Sequence, residues 1–231
     1  MAFDVAVLTF PGSNCDADLR WAVDNTPELS ARAVWHKETE LGSPDAVLLP
    51  GGFSYGDYLR CGAIARFSPI MNAVMAFAKA GGPVLGICNG FQVLTEAGLL
   101  PGALLSNAGQ KFICETVVLG KEGRETAFTK GLPETLRIPI AHHDGNFFAD
   151  EATLARLEGE GQVLFRYLNA QGERQAGAAP NGSMNDIAGI CNAAGNVVGM
   201  MPHPERASDP ALGSADGSAL FSALQGFLES K

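Results

Sequence analysis

An open, mostly parallel twisted sheet with helices on both faces, extended by antiparallel strands in the C-terminal half, is the fold class this sequence predicts. Three observations carry that expectation. Short unbroken apolar runs (Phe3 to Phe10, Asp45 to Pro50, Pro83 to Ile87) lack the alternation of half-exposed strands and read as strands buried on both faces. Helical patterns separate them, as βαβ units require. Beyond the helix that begins near Cys88, strand-like runs follow one another with little helix between them.

In order, Phe3 to Phe10 is strand one and is expected to be central. Pro11-Gly12-Ser13-Asn14-Cys15-Asp16 turns the chain, with Asp16 as candidate cap of a helix bearing Leu19, Ala22 and Val23 on one face. Ala31 to His36 and Asp45 to Pro50 are the next strands. Ser68-Pro69 reads as an N-cap followed by Pro at the first helical position, ahead of a stripe of Met71, Val74, Met75 and Ala78. Phe112 to Leu119, Arg137 to Ala141 and Gln162 to Leu168 are strands, with a short helix from Asp150 that turns Leu154 and Leu157 inward. Ile187 to Cys191 and Val197 to Met201 form a hairpin across Asn192-Ala193-Ala194-Gly195-Asn196. A last amphipathic helix carries Leu220, Phe221, Leu224, Phe227 and Leu228. No linker, repeat or low-complexity segment interrupts the chain, so residues 1–231 are expected to form one domain.

Composition excludes several function classes. The formal charge is −9, from 16 basic and 25 acidic residues, with no basic run, so nucleic acid and anionic membrane are poor partners. No signal peptide pattern and no membrane-length apolar stretch is present, and the expected location is cytoplasmic. Five cysteines, an odd number without a Cys-x-x-Cys pair, argue against a disulfide framework and a structural zinc site, so no metal is expected.

The chemistry centres on Pro83-Val84-Leu85-Gly86-Ile87-Cys88-Asn89-Gly90-Phe91-Gln92. A strand becomes a helix at Cys88 with glycines on either side, the setting of a nucleophile elbow with Cys in place of Ser. A thiol there lies at the positive end of a helix dipole, which favours thiolate. Such a nucleophile needs a base and the base an orienter. Of His36, His142, His143 and His203, the last stands in Met201-Pro202-His203-Pro204-Glu205, where extended backbone brings imidazole and carboxylate to one side. The Gly-rich loop from Pro50 to Gly62 follows a strand's carboxyl end, and its Gly51-Gly52 pair lets a backbone N–H approach an oxyanion.

Gly86-Ile87-Cys88-Asn89-Gly90-Phe91-Gln92 resembles the G-x-C-x-G-x-Q motif of triad-type (class I) glutamine amidotransferases, and Pro202-His203-Pro204-Glu205 resembles their H-P-E motif. Pro11 to Asp16, the loop from Pro50 to Ala63, Asn185 to Pro204 and Leu212 to Gly217 are similar to the small glutaminase subunits of phosphoribosylformylglycinamidine synthases. One stretch departs from the family pattern: Ala141-His142-His143-Asp144-Gly145-Asn146-Phe147 stands where A-H-G-E-G-N-F is usual.

The resemblance implies a flavodoxin-like fold and hydrolysis of glutamine to glutamate and ammonia. It implies catalytic roles for Cys88, His203 and Glu205, backbone oxyanion donors at Gly52 and Asn89, and candidate substrate contacts from Gln92 and His142. With no phosphate-binding Gly-rich loop in the chain, it also implies a large synthetase subunit that uses ATP and magnesium, and a small bridging subunit. No cofactor is then bound by this chain. Two rivals stand beside this reading: a glutaminase serving another acceptor synthetase, and a peptidase- or deglycase-like hydrolase with a cysteine elbow.

Overall fold

A computed structural model describes residues 2–231. Its nine-stranded sheet has the order β2-β1-β3-β4-β11-β10-β9-β6-β7. Here β1 is Phe3–Thr9, β2 Leu29–Trp35, β3 Ala46–Leu49, β4 Val84–Ile87, β5 Ala103–Leu105 and β6 Ile113–Lys121. The remaining strands are β7 Thr135–His142, β8 Asn146–Phe148, β9 Val163–Leu168, β10 Ile187–Cys191 and β11 Val197–Met200. Strands β2, β1, β3, β4 and β11 pair in parallel. From β11 outward, β10, β9, β6 and β7 pair antiparallel, and β5 pairs with β8 in a separate ribbon. The parallel sheet and its antiparallel extension thus stand as the sequence pattern predicts. Strand β1 lies between β2 and β3 but only one place from the sheet edge, so it is flanked rather than central.

The inner parallel strands β3, β4 and β11 are buried along their length because helices cover them, whereas the edge strand β2 carries both buried and exposed positions. Helix α1 (Asp16–Asp24) buries Leu19, Ala22 and Val23 and packs against α5 (Ser218–Glu229), which buries Leu220, Phe221, Leu224 and Leu228. Helix α2 (Ile70–Lys79) carries the crossover from β3 to β4, in the opposite direction along the sheet from the β1–α1–β2 crossover, so right-handed connections put α1 and α2 on opposite faces. Helix α3 (Asn89–Glu96) packs on β4 and β11, where Gly86 and Gly199 pair in register. A Cβ on Gly199 would stand 2.1 Å from the Phe91 ring and one on Gly86 2.6 Å from Leu94. The glycine pair is therefore the groove that lets α3 sit close. Helix α4 (Glu151–Gly159) is capped by Asp150, whose carboxylate accepts from Thr153 N at 2.7 Å, and it buries Leu154 and Leu157 as the spacing requires.

Two caps differ from expectation. Asp16 opens α1 rather than capping it, and its carboxylate accepts from Thr9 Oγ1 and faces Arg20. Ser68 has extended backbone before helical Pro69, but its hydroxyl meets Tyr55 and His36 instead of a helix N–H. Other side chains outcompete the cap in each case: Thr9 and, one turn along the helix, Arg20 for Asp16, and Tyr55 and His36 for Ser68. No helix among the described residues is long and apolar enough to cross a membrane.

Candidate active site

The loops that carry Cys15, Gly51-Gly52, Cys88 and His203 leave the carboxyl ends of the parallel strands β1, β3, β4 and β11. Cys88 ends β4 and caps α3 with φ 49° and ψ −106°, a conformation strained for a residue with a Cβ. What holds it there is specific. Its N–H donates to Met200 O on β11 at 2.8 Å, and Gly90 lies so close to β3 that a Cβ would stand 2.1 Å from Leu49 O. The Cys88 thiol points toward Ala141 O at 3.8 Å.

That contact exposes a feature of topology invisible in the strand pattern. Strand β7 is the far edge of the sheet, yet the antiparallel extension curls back over the carboxyl edge. His203 N donates to Pro139 O of β7 at 2.8 Å, so β7 closes the site from above.

His203 and Glu205 are both buried, and His203 Nδ1 meets Glu205 Oε1 at 2.6 Å, while His203 Nε2 and Glu205 Oε2 have no partner. Nδ1 is thus committed to the carboxylate, and the open nitrogen is the one a reacting thiol or leaving group requires. Burial lowers the pKa of His203, but the charges of Glu205 and Cys88, with contacts from Cys15 and Cys88, leave it well above its ordinary value. Gly51 is the neighbour that gives the ring room: a Cβ there would stand 2.5 Å from His203 Cε1.

The two proposed oxyanion donors lie at adjoining loops. Asn89 is the first residue of α3, and Gly52, with φ 144°, packs against Gly12, Ser13 and Asn14 of the β1–α1 loop. Neither N–H makes a hydrogen bond among the described residues. Ser54 N donates to Asn89 Oδ1 at 3.2 Å, which ties the Gly-rich loop to the start of α3.

Gln92 and His142 are brought close but are already engaged. Gln92 Oε1 accepts from Asn89 Nδ2 at 2.9 Å and its Nε2 donates to Asp144 O at 2.5 Å, making it a brace between α3 and the loop after β7. His142 Nδ1 is held by Asn107 Oδ1 at 3.1 Å, and its Nε2 is buried without a partner. Burial first, then the charge of His203, push its pKa down to about 4, so His142 is a neutral imidazole near pH 7. His36, at the end of β2, is a buried brace: Tyr55 Oη reaches its Nδ1 at 2.7 Å.

The departure at His143-Asp144 also finds its place. Asp144 accepts from Ser106 Oγ at 2.8 Å and Cys61 Sγ at 3.3 Å, and it faces His143 Nδ1 at 2.6 Å. It therefore anchors the Gly-rich loop through Cys61, and these bonds, His143 foremost, leave its pKa lowered although burial acts the other way.

Sequence reasoning missed Cys15 and Gly51 as neighbours of the histidine. Cys15 Sγ, a His203 ring nitrogen and a Glu205 oxygen all lie within 4.8 Å of one another, a set with the donor types of a zinc site. Arg206 Nη2 donates to that sulfur at 3.0 Å, which puts a cation against it. The available signal was Cys15's place in the turn after β1, on the ligand-facing side of such sheets.

A family model of the CobB/CobQ-like glutamine amidotransferase domain matches residues 2–218. Phosphoribosylformylglycinamidine synthase subunit PurQ of Synechocystis sp. is 56% identical over 217 residues, covering 93% of this chain and 97% of that protein. The same subunit of Trichormus variabilis is 56% identical over 225 residues, covering 96% of each. A chain in the structure of PurLQS from Thermotoga maritima superposes with a TM-score of 0.87 at 39% identity, over 99% of this chain and 100% of that one. A second protein of Thermotoga maritima, a glutamine amidotransferase with a TM-score of 0.61 at 18% identity over 99% of each chain, shares the fold. With a match from end to end of the sheet and relatives this similar along their whole length, the chain belongs to the CobB/CobQ-like glutamine amidotransferase family.

Proposed function

We propose that this chain is the glutaminase subunit of a phosphoribosylformylglycinamidine synthase. It hydrolyses glutamine through Cys88, His203 and Glu205 and delivers ammonia to a separate synthetase subunit. The observation that carries the reading is the His203–Glu205 pair at 2.6 Å with Nε2 left open, set beside a thiol on a strained elbow. The name and near-full-length similarity of the PurQ relatives support the choice of acceptor.

In this mechanism His203 takes the Cys88 proton, and the thiolate attacks the side-chain amide carbon of glutamine. The carbonyl electrons move to oxygen, which the N–H groups of Asn89 and Gly52 receive; one such donor contributes about 3 kcal/mol. As the tetrahedral intermediate collapses, the imidazolium gives its proton to the departing nitrogen, ammonia leaves and a γ-glutamyl thioester remains. His203 then deprotonates water, which attacks the thioester. Glutamate departs and the sulfur regains its proton. Glu205 holds the imidazole tautomer and balances the imidazolium.

Gln92 braces the elbow helix against the loop at Asp144, and His142, neutral and with an open Nε2, is the better placed of the two to meet substrate. Arg206 at the Cys15 sulfur favours reading Cys15, His203 and Glu205 as part of a catalytic group rather than a metal site. ATP and magnesium act on the synthetase partner, a small bridging subunit completes the complex, and the assembly works in the cytoplasm.

In the test, Cys88→Ala abolishes glutamate release by the assembled complex while synthesis from added ammonia persists. Wild-type glutamate release by Cys88→Ala would overturn the assignment.

A further inference from the structure

Cys15 Sγ lies within 4.8 Å of a His203 ring nitrogen and a Glu205 oxygen, yet the mechanism above makes no use of it. It is buried at the N-terminus of α1, and its thiol donates to Asn14 Oδ1 at 3.2 Å while accepting from Arg206 Nη2 at 3.0 Å. Arg206 Nε in turn donates to Asp18 Oδ2 at 3.3 Å, one turn into the same helix. Those bonds fix the sulfur in position and orientation. They place it in the crowd around Gly51, where a Cβ would stand 3.2 Å from Cys15 Sγ and 3.2 Å from His203 Nδ1.

We propose that Cys15 is a positioning residue for His203: clamped by Arg206 and Asn14, its sulfur holds the imidazole edge against Glu205 and stabilises the imidazolium during turnover. The inference rests on the proposed glutaminase reading and names a further residue of that same site. Its physical basis is the arrangement of charge. The titratable and charged groups facing His203 are Glu205, Cys88, Cys15 and His142, with Arg206 behind the sulfur. A guanidinium this close opposes an imidazolium, and Asp18 and the electron-rich sulfur lie where they take up its charge. Cys15 is among the groups that raise the His203 pKa. The bond from Arg206 therefore does two things with one atom: it orients the sulfur and shields the histidine.

The test uses the chain assembled with its synthetase partner. Cys15→Ala lowers glutaminase kcat about tenfold, because an imidazole without that neighbour is held less closely in its reacting orientation. KM for glutamine stays within about twofold, because a positioning role at the histidine leaves ground-state binding intact. The alkaline limb of the kcat/KM profile moves down by about one pH unit, since the imidazolium loses a stabilising neighbour. Cys15→Ser keeps an acceptor for Arg206 and a donor for Asn14, and recovers most of the loss. Synthesis from added ammonia is unchanged and reports intact assembly. If Cys15→Ala does not assemble, Arg206→Met is measured instead: it leaves the thiol unclamped and lowers kcat with KM retained. Wild-type kcat with an unmoved alkaline limb in Cys15→Ala, equal losses in Cys15→Ser and Cys15→Ala, or wild-type kcat in Arg206→Met would each overturn the inference. With Cys88→Ala inactive, any of those results removes only the role of Cys15. Full activity in Cys88→Ala removes the glutaminase reading instead.

Discussion

Gly51→Ala adds one methyl group, and the structure says where it lands. The backbone of Gly51 lies outside the left-handed region, so alanine adopts it without strain and the effect is purely one of contact. The new Cβ would stand 2.5 Å from His203 Cε1 and 3.2 Å from Cys15 Sγ, where ordinary contact begins near 3.4 Å. The ring must give way by about 1 Å, the scale of misplacement that costs on the order of a hundredfold in rate. It has nowhere soft to go, because prolines flank His203, its N–H is bonded to Pro139 O at 2.8 Å and Nδ1 to Glu205 at 2.6 Å. Overpacking of this kind destabilises by about 1–3 kcal/mol, which leaves the chain folded at 25 °C. Glutamate release by the assembled complex, followed with glutamate dehydrogenase, should fall about a hundredfold while ammonia-dependent synthesis holds. Gly226→Ala is the control: nothing lies within 4 Å of its added Cβ, and helix α5 gains about 0.5–1 kcal/mol. Wild-type glutaminase activity in Gly51→Ala would refute the packing that ties this glycine to the histidine.

Two further predictions concern stability. Arg166 is buried on β9 and bonds Glu122 Oε2 at 2.6 Å, Glu158 and Asn185 O. Both carboxylates keep some solvent, so Arg166→Met should cost about 3 kcal/mol, at the low end for breaking a buried pair, and lower Tm by roughly 10 °C; an unchanged Tm contradicts this. His142, pushed down to about 4, binds fewer protons folded than unfolded between there and the ordinary value of 6.5. Stability therefore falls as pH drops through that window, by up to about 3 kcal/mol. His203, raised in the fold, contributes fully below 6.5 and adds no slope there. Thermal melts from pH 7 to 4 should show a shallower decline in His142→Asn than in wild type; equal slopes contradict the assignment.

What the sequence made legible followed from local rules. Apolar runs marked the parallel strands, Asp150 marked a helix start, and Cys88 between glycines marked the elbow because strand, turn and helix are adjacent in the chain. Elements set by distant partners were not legible. Ser68 has the chemistry of a cap, but Tyr55, brought in from the Gly-rich loop, claims its hydroxyl. Gln92 looked free to bind substrate until Asn89 and Asp144 occupied its amide. The return of β7 over the site depends on the curl of an antiparallel extension, which no periodicity records. Gly51 and Gly52 read as one feature, yet one makes room for His203 and the other packs on the β1–α1 loop. Cys15 was one cysteine among five until Arg206 and His203 were found beside it.

In the proposed mechanism Cys88 becomes acylated by the side chain of glutamine. Rapid acid quench of the assembled complex turning over glutamine, followed by peptide mass spectrometry, tests it most directly. A γ-glutamyl adduct is expected on the peptide containing Cys88, absent when glutamine is omitted and absent in Cys88→Ala. An adduct on Cys15 or Cys61, or glutamate formed at full rate with no acylated cysteine, would contradict it.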